Sequence, residues 1–352
     1  MMRRRGLLDY LAYGASQTAR VGWFYGQYRA AQSLAPRLPT ARWPKPSAAV
    51  PGLGRSLMRD LWVLLRRDWE NIRAGRYKPP HDLVPSPRAA LRQALRFFGD
   101  LPAVNLRRRE HANSEVHAPP FAGRYPRYYL QNFHYQSDGY LSERSAELYD
   151  YQVEVLFLGG ADAMRRQALP ALTAHLAGRA GDGDGARLLD VACGTGRFLS
   201  FVKDNLPALH VTGLDLSPPY LDVAARTLAR WDRVALVQGN AEAIPLEDAS
   251  VDAVTCVYLF HELPRAVRVA VTREIARVLK PGGVAVLVDS LQRGDRPLYD
   301  PLLERFPVTF HEPYYADYVG HDLAALFTEA GLNIATTEIA FLSKVIVAKR
   351  RD

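Results

Sequence analysis

The chain has 352 residues, of which 48% are hydrophobic and 23% charged, a composition typical of a globular protein with one large domain or two smaller ones. Its two cysteines, Cys193 and Cys256, are too few for a disulfide framework and indicate a reducing compartment. No apolar run reaches the roughly 18 residues of a membrane span, and polar residues interrupt the apolar stretch that follows the first arginines. We therefore expect a cytoplasmic protein without membrane-spanning helices.

Positive charge is concentrated in the first 130 residues. This part carries 23 Lys or Arg against 8 Asp or Glu, whereas the rest of the chain carries 22 against 29. A positive surface of this size could contact the inner face of a membrane, a nucleic acid or an acidic partner. The other interpretation is a solvated surface that is rich in arginine.

The pattern of residues 1–180 predicts a mainly helical, basic N-terminal region. An apolar stripe at helical spacing lies between arginines, so it either packs in a core or rests on a membrane. Its members are Leu57, Leu61, Leu64 and Leu65, with Trp62 and Trp69. Proline clusters divide the region into short helices joined by linkers. A Gly- and Asp-rich stretch at 178–185 then separates two predicted units, residues 1–180 and 181–352. The first could serve as a substrate lid or as a contact for a membrane or partner.

The second unit has the pattern of a doubly wound α/β fold, because short β-rich runs alternate with amphipathic helices. Two adjacent strands at its end are expected to form an antiparallel pair at one edge. The sequence therefore predicts a Rossmann-like, seven-stranded sheet with an antiparallel last strand, preceded by the helical region. The predicted strands are 187–192, 210–214, 234–238, 251–258, 284–289, 334–340 and 342–349.

A glycine-rich turn, Asp190-Val191-Ala192-Cys193-Gly194-Thr195-Gly196, follows the first predicted strand. Glycines at this position let the backbone approach a ligand closely. The turn lacks the third glycine of the dinucleotide fingerprint and the Gly-Lys-Ser/Thr of a phosphate-binding loop, so a ligand without phosphates suits it better than NAD. Asp215, at the end of the second strand, either binds ribose hydroxyls or fixes the turn before Ser217-Pro218.

Five segments in chain order resemble the motifs of class I S-adenosylmethionine-dependent methyltransferases, in the small-molecule branch with a type 11-like domain: 188–196, 213–217, 239–245, 251–254 and 277–283. The resemblance implies S-adenosylmethionine as the cofactor and assigns its parts to different segments. The methionine part would contact Asp190, Ala192, Gly194, Thr195 and Gly196, the ribose Asp215 and Leu216, the adenine Asn240 and Ala241, and the sulfonium end Val257 and Tyr258.

Asn240 departs from the family, which commonly has aspartate there. The Asn carbonyl can still accept a hydrogen bond from the adenine amino group, so we expect binding to survive. Such a site supports an in-line displacement at the methyl carbon, with a base only where the nucleophile must lose a proton.

Three segments contain candidate catalytic and substrate-binding residues. His261 and Glu262 follow the fourth strand, where methyltransferases of this class often carry His, although this His could instead face solvent. Residues 310–318 form a predicted loop that either lines the substrate pocket or packs on itself. Residues 132–140 suit either a lid or an interface. The catalytic candidates are His261, His311 and Tyr315, and the substrate-binding candidates are His134, Tyr135, Glu262, Tyr314 and Tyr318.

No metal site is predicted, because the sequence has no His-x-x-x-His or Cys-x-x-Cys arrangement. The predicted function is methyl transfer to carbon or oxygen of a small, lipophilic or aromatic acceptor, such as the quinones and sterols on which this branch acts. One alternative is an RNA or other nucleic-acid methyltransferase that uses the basic region, although no Asn/Asp-Pro-Pro-Tyr/Phe motif or RNA-binding module occurs. The other is a non-catalytic protein that binds the cofactor as a scaffold.

Overall fold

The computed structural model describes residues 6–35, 50–83, 86–117, 121, 123–177 and 183–351. Six α-helices precede the first strand: α1 Leu7–Leu34, α2 Leu53–Arg73, α3 Pro87–Glu110, α4 Glu143–Leu156, α5 Ala161–Arg166 and α6 Leu169–Ala177. Among the described residues, no helix is both long and apolar enough to cross a bilayer. The predicted boundary between residues 180 and 181 lies outside the described residues.

The second half forms a seven-stranded sheet flanked by helices, as predicted. Strands and helices follow in the order β1 Arg187–Val191, α7 Arg197–Asn205, β2 His210–Asp215, α8 Pro218–Leu228, β3 Val234–Gln238, β4 Val251–Val257, α9 Arg265–Val278, β5 Leu279–Ser290, α10 Asp300–Phe310, α11 Tyr315–Tyr318, α12 Leu323–Glu329, β6 Leu332–Ala340 and β7 Ser343–Arg350. Short 3-10 helices cover Glu115–His117, Phe133–Tyr135, Phe260–Glu262 and Pro297–Tyr299.

The strand order is β3-β2-β1-β4-β5-β7-β6. Strands β1 to β5 pair in parallel, and β7 runs antiparallel to both β5 and β6. The order reverses between β1 and β4, and ligands of open α/β sheets bind at the carboxyl ends of strands at such a point. The topology thus confirms the predicted antiparallel last strand and places the site.

Two local predictions are wrong. The fifth strand is predicted to start at residue 284, but β5 already begins at Leu279 and shifts register opposite Val251 and Ala253. Gly282 has φ +70°, and a Cβ on Gly283 would lie 2.8 Å from the Lys280 carbonyl oxygen. The glycines therefore permit an irregular start of the strand.

The segment 310–318 is predicted to be a loop, but it contains the end of α10 and the short helix α11. His311 is the left-handed residue that ends α10, at φ 51°. The chain then turns directly into α11, so the side chains of this segment point in fixed and different directions.

One hydrophobic cluster joins the helical region to the sheet. Leu61, Leu64 and Leu65 of α2 are almost fully buried and belong to the same cluster as Leu188 and Val286 of the sheet. Trp69 is buried in it and Leu57 packs against it, so the core interpretation is confirmed for these residues. Trp62 is 40% exposed, so it does not belong to the core face. A second cluster covers the other face of the sheet, mainly under α9 and α12.

A buried ion pair ties three helical segments together. Arg166 of α5 donates to both carboxylate oxygens of Asp68 on α2, at 2.9 and 2.8 Å. The hydroxyls of Tyr13 and Tyr77 donate to the same carboxylate at 2.5 and 2.8 Å. The carboxylate is therefore fully buried but well satisfied, which is the condition under which an ion pair is tolerated in a core.

We expect Asp68→Ala to lower the free energy of unfolding by about 3–5 kcal/mol, because it leaves the Arg166 charge buried without a partner. Urea denaturation measures the change. The matched control is Arg96→Ala, which removes a largely exposed pair with Glu147 and should cost about 0–1 kcal/mol. Equal losses in the two variants would contradict the assigned role of the buried pair.

Candidate active site

A cleft opens at the carboxyl ends of β1, β2 and β4. Ten of the eleven residues predicted to contact the cofactor line it: Asp190, Ala192, Gly194, Thr195, Asp215, Leu216, Asn240, Ala241, Val257 and Tyr258. Gly196 does not line the cleft. It precedes α7 at φ +73°, and a Cβ there would lie 3.0 Å from Leu228 and 3.2 Å from Ala224. Its glycine therefore permits close packing of α7 on α8.

Asp190 lies buried at the floor of the cleft. The Thr255 hydroxyl of β4 donates to its carboxylate at 2.6 Å. Burial raises the pKa of Asp190 to about 7, and the nearby charge of Asp215 adds to this shift, while the Thr255 hydrogen bond opposes it. A buried carboxylate with this pKa favours a positively charged ligand, because such a ligand would stabilise the ionised form.

Asp215 fixes the glycine-rich turn and also faces the cleft. Its two carboxylate oxygens accept from the backbone N–H groups of Gly194 and Ser217, at 2.8 and 2.9 Å. Ser217 in turn caps α8 by accepting from the N–H of Tyr220. The turn-fixing interpretation is therefore confirmed. Since each carboxylate oxygen has two lone pairs, hydrogen bonds from ribose hydroxyls remain available to the same side chain.

The charges that line the cleft do not suit a phosphate. Both arginines of the lining are already paired: Arg165 with Asp150 and Asp162, at 3.1 and 3.0 Å, and Arg197 with Asp162 and Asp82, at 2.5 and 2.7 Å. The carboxylates of Asp150, Asp190, Asp215 and Glu262 also line it. This set of acceptors fits a cationic ligand with hydroxyl groups, as S-adenosylmethionine is, better than it fits a dinucleotide.

Aromatic residues of the helical region cover the cleft. Tyr128, Tyr129, Tyr140 and Tyr149 line it opposite the sheet. Tyr128 donates to Glu242 at 2.7 Å, and Tyr140 donates to Glu262 at 2.5 Å. The segment therefore lies over the cleft and is attached to the sheet half by specific hydrogen bonds, so it has features of both the predicted lid and the predicted interface.

A second cavity, of about 700 Å³, adjoins the first. Its lining is mostly apolar and comes from α1, α2, α4 and α10, including Leu57, Met58, Val153, Leu156, Leu303 and Phe306. The predicted residues His134, His261, Glu262 and Tyr315 line this cavity. Tyr149, Tyr258 and Glu262 line both cavities, so the two spaces meet at the end of β4.

His261 is buried and held by Asp289, so the interpretation that it faces solvent is wrong. Its Nδ1 lies 2.7 Å from one oxygen of Asp289, whose other oxygen accepts from the N–H of Phe260 at 2.7 Å. Burial alone would lower the pKa of His261, but the charge and hydrogen bond of Asp289 outweigh burial and raise it to about 9. Tyr315 lies nearby, with its hydroxyl 2.6 Å from Ser290 Oγ.

Asp289 was not identified from the sequence, although a signal for it exists. It lies at the carboxyl end of β5, beside the end of β4 where His261 follows. Polar residues at the carboxyl ends of adjacent parallel strands meet at one edge of a sheet.

The structure also brings together His134, Glu262 and Glu312. One ligand atom from each lies within 4.8 Å of the other two. The sequence predicts no metal site because it contains no local ligand spacing, whereas these residues come from three distant segments. Local spacing does not reveal this group of possible ligands, and the expectation of no metal site stays a prediction.

Four of the predicted catalytic and substrate-binding residues line neither of the two cavities. The ring nitrogens of His311 lie 3.2 Å from Asn113 and 3.1 Å from Gln131, and burial lowers its pKa to about 4. The ring of Tyr135 packs on His311 at 5.5 Å. Tyr318 is fully buried, packs against Tyr315 and donates to the Ser290 carbonyl. Tyr314 packs against the cluster around Phe133.

Comparison with known proteins identifies a family. Residues 188–283 match the family described as a methyltransferase domain. The demethylmenaquinone methyltransferase of Deinococcus radiodurans is 36% identical over 145 residues, which cover 41% of this chain and 56% of that protein. That of Staphylococcus aureus is 38% identical over 109 residues, or 31% of this chain and 44% of that protein. The chain thus spans about half the length of the curated relatives it matches.

Solved structures give a weaker likeness. A SAM-dependent methyltransferase from Aquifex aeolicus aligns with a TM-score of 0.37 and 21% identity, covering 47% of this chain and 82% of that one. Within residues 188–283, the match agrees with the predicted resemblance to methyltransferases. S-adenosylmethionine is the cofactor of this type of domain.

The raised pKa of Asp190 predicts a pH-dependent stability. The folded chain keeps this proton up to about pH 7, whereas the unfolded chain loses it near 3.8, so stability falls as pH rises between these values. Asp190→Asn removes this loss. Relative to the wild type, the free energy of unfolding of Asp190→Asn should therefore increase between about pH 5 and pH 8. The increase should be about 1.4 kcal/mol for each pH unit up to the folded-state pKa of about 7.

Urea denaturation at the two pH values measures this effect. Asp222→Asn, on the exposed surface of α8, is the control and should keep the wild-type pH dependence. A constant stability difference between Asp190→Asn and the wild type would show that Asp190 is ionised throughout.

Proposed function

We propose that the protein transfers a methyl group from S-adenosylmethionine to a small lipophilic acceptor with an aromatic, quinol-like head, since residues 188–283 match a methyltransferase domain. The observation that carries this proposal is the meeting of the two cavities at Tyr149, Tyr258 and Glu262. One cavity is lined by carboxylates and the other by apolar side chains. A polar, cationic methyl donor and a lipophilic acceptor would meet at this junction.

Specific residues of the cleft fit the cofactor. The carboxylate of Asp190 suits its positively charged part, Asp215 suits the ribose hydroxyls, and Asn240 with Ala241 suits the adenine ring. When bound, S-adenosylmethionine supplies a methyl carbon attached to a positively charged sulfur. The chain's own contribution is alignment of the two ligands and exclusion of water, which the aromatic cover of Tyr128, Tyr129 and Tyr140 supports.

His261 would act on the acceptor rather than on the cofactor. Its Nδ1 is held by Asp289, and its side chain lines the second cavity but not the first. Because the pKa of His261 is raised to about 9, the ring carries a proton at neutral pH. It would therefore donate a hydrogen bond to an acceptor oxygen and stabilise negative charge that develops there.

The acceptor class follows from the second cavity. A volume of about 700 Å³ lies within the range of pockets that enclose small organic ligands. Its apolar lining suits a hydrocarbon chain, and the relatives above are named demethylmenaquinone methyltransferases. Burial of the cavity favours a small molecule over the nucleic acid of the alternative hypothesis, since a base would have to reach it through an apolar space.

Contact of the N-terminal region with a membrane surface stays a prediction, as does a cytoplasmic location. One feature supports the former: Leu7, Leu8 and Leu11 at the start of α1 are 72, 82 and 55% exposed. Exposed apolar side chains next to a basic region favour an interfacial position. A lipophilic acceptor would be reached there.

We expect purified protein to bind S-adenosylmethionine in calorimetric titrations and to transfer labelled methyl groups to demethylmenaquinol analogues. His261→Gln should lower the transfer rate about 10²-fold or more and leave cofactor affinity unchanged, because its ring contacts the acceptor alone. His117→Gln, on the surface, is the control. Absence of cofactor binding would contradict the activity, binding without transfer to any lipophilic acceptor would favour a scaffold, and a fully active His261→Gln would contradict the role of His261.

The apolar cavity predicts a dependence on acceptor length. Leu156→Trp adds bulk to its lining and should raise KM about tenfold, or about 1.4 kcal/mol, for an acceptor with a long hydrocarbon chain. The KM of a chain-free analogue should stay unchanged. Leu95→Trp, 67% exposed on α3, is the matched control. Equal effects on both acceptors would place the chain outside this cavity.

A further inference from the structure

Three potential metal ligands converge at the boundary of the second cavity. His134 lies in the segment between α3 and α4, Glu262 follows β4, and Glu312 follows α10. One ligand atom of each lies within 4.8 Å of the others, and His134 Nε2 is 3.2 Å from a carboxylate oxygen of Glu312. Because these segments are distant in sequence, their convergence results from the tertiary fold.

Glu312 has an unusual environment for a carboxylate. Its side chain is fully buried, yet neither carboxylate oxygen has a hydrogen-bond partner among the described residues. The 3.2 Å contact with His134 is close in distance but does not meet the alignment of a hydrogen bond. A buried acceptor left in this state costs about 1–3 kcal/mol or more, so it calls for a ligand.

The local charges point to a cationic ligand. Glu262, Glu312 and Asp289 place three carboxyl groups near the junction, and His261 contributes one imidazole ring. That ring is already held at 2.7 Å by Asp289, whereas its Nε2 lies 3.8 Å from Glu262. Both oxygens of Glu312 therefore remain available to a cation.

We propose that His134, Glu262 and Glu312 bind a divalent transition-metal cation. One imidazole and two carboxylates form a mixed nitrogen and oxygen set, which suits Zn²⁺ or Mn²⁺ better than the all-oxygen set that Mg²⁺ and Ca²⁺ prefer. Metal–ligand bonds of about 2.0–2.2 Å require the three groups to move slightly closer than they stand. His134 has a left-handed backbone, at φ 57°, which aims its ring at the carboxylates.

The position of this site indicates what role the bound cation would have. His134 and Glu262 both line the second cavity, and Glu262 also lines the cofactor cleft. A cation with three protein ligands keeps further coordination positions open, which would hold an oxygen atom of the acceptor beside His261. This role rests on the proposed methyl transfer, whereas the existence of the site does not.

Metal binding is tested first, without cofactor or acceptor. Protein free of any affinity tag and stripped with a chelator is titrated calorimetrically with Zn²⁺, Mn²⁺ and Mg²⁺, and bound metal is counted by elemental analysis. We expect one Zn²⁺ or Mn²⁺ per chain, and a raised Tm, since a ligand that binds only the folded chain stabilises it. Residues that only hydrogen-bond to a metal's ligands contribute about 10- to 100-fold to its affinity. Glu312→Gln and His134→Gln remove direct ligands, so each should weaken metal binding at least tenfold.

Matched controls and the stability of the variants make the result decisive. Glu304→Gln and His117→Gln, both at exposed positions, should bind metal as the wild type does. Without metal, Glu312→Gln should be as stable as the wild type, because it removes an unbalanced buried charge. No saturable binding, or equal binding by wild type and Glu312→Gln, would overturn the site.

Activity is tested separately, so failure of the metal site and failure of the methyltransferase proposal can be told apart. We expect the metal-free protein to bind S-adenosylmethionine but to transfer methyl groups slowly and with a raised KM for the acceptor. Added Zn²⁺ or Mn²⁺ should restore the transfer rate. Full activity in the chelated protein, together with confirmed metal binding, would overturn the role in acceptor binding and leave a structural cation.

Discussion

The candidate site depends on the attachment of Tyr140 to the sheet half of the protein. Its carbonyl oxygen accepts from the Ser217 hydroxyl at 2.5 Å, and its own hydroxyl donates to Glu262. Its ring packs on Phe133 and Tyr220. Main chain, hydroxyl and ring are therefore all fixed, and the helical region covers the carboxyl ends of the strands. Without this cover, the first cleft would lose the Tyr140 side of its lining.

Closure of the site explains its electrostatics. Carboxyl groups are normally ionised at neutral pH, but under this cover burial raises the pKa of Asp190 and Glu262 to about 7. An environment of this kind stabilises incoming positive charge, because each cation that enters restores the ionised form of a buried acid. The cleft and the cluster at its edge thus share one physical property, and they differ in the ligand that the surrounding residues suit. Residues near Asp190 can accept hydrogen bonds from the hydroxyl groups of a ligand, whereas the imidazole of His134 lies beside Glu312.

The sequence predicts the residues that line the first cleft better than those that line the second cavity, for a physical reason. The glycine-rich turn and Asp215 are local features of a strand end, and parallel pairing brings such ends together by rule. No local sequence pattern marks the residues around the second cavity. Asp289 and Glu312 acquire their importance from the segments that pack against them, and His311 lost its predicted role because the end of α10 turns it towards Asn113 and Gln131.

The first cleft and the second cavity also differ in their relation to the matched span, residues 188–283. Within the matched span, 188–283, only Tyr258, His261 and Glu262 contribute to the lining of the second cavity. Its other lining residues come from α1, α2, α4 and the two residues after it, α10, α11 and the turn between β6 and β7, and from His134 and Ser290. Most of the lining of the second cavity therefore comes from outside the span that matches the methyltransferase domain, whereas the first cleft is built largely on strand ends within that span.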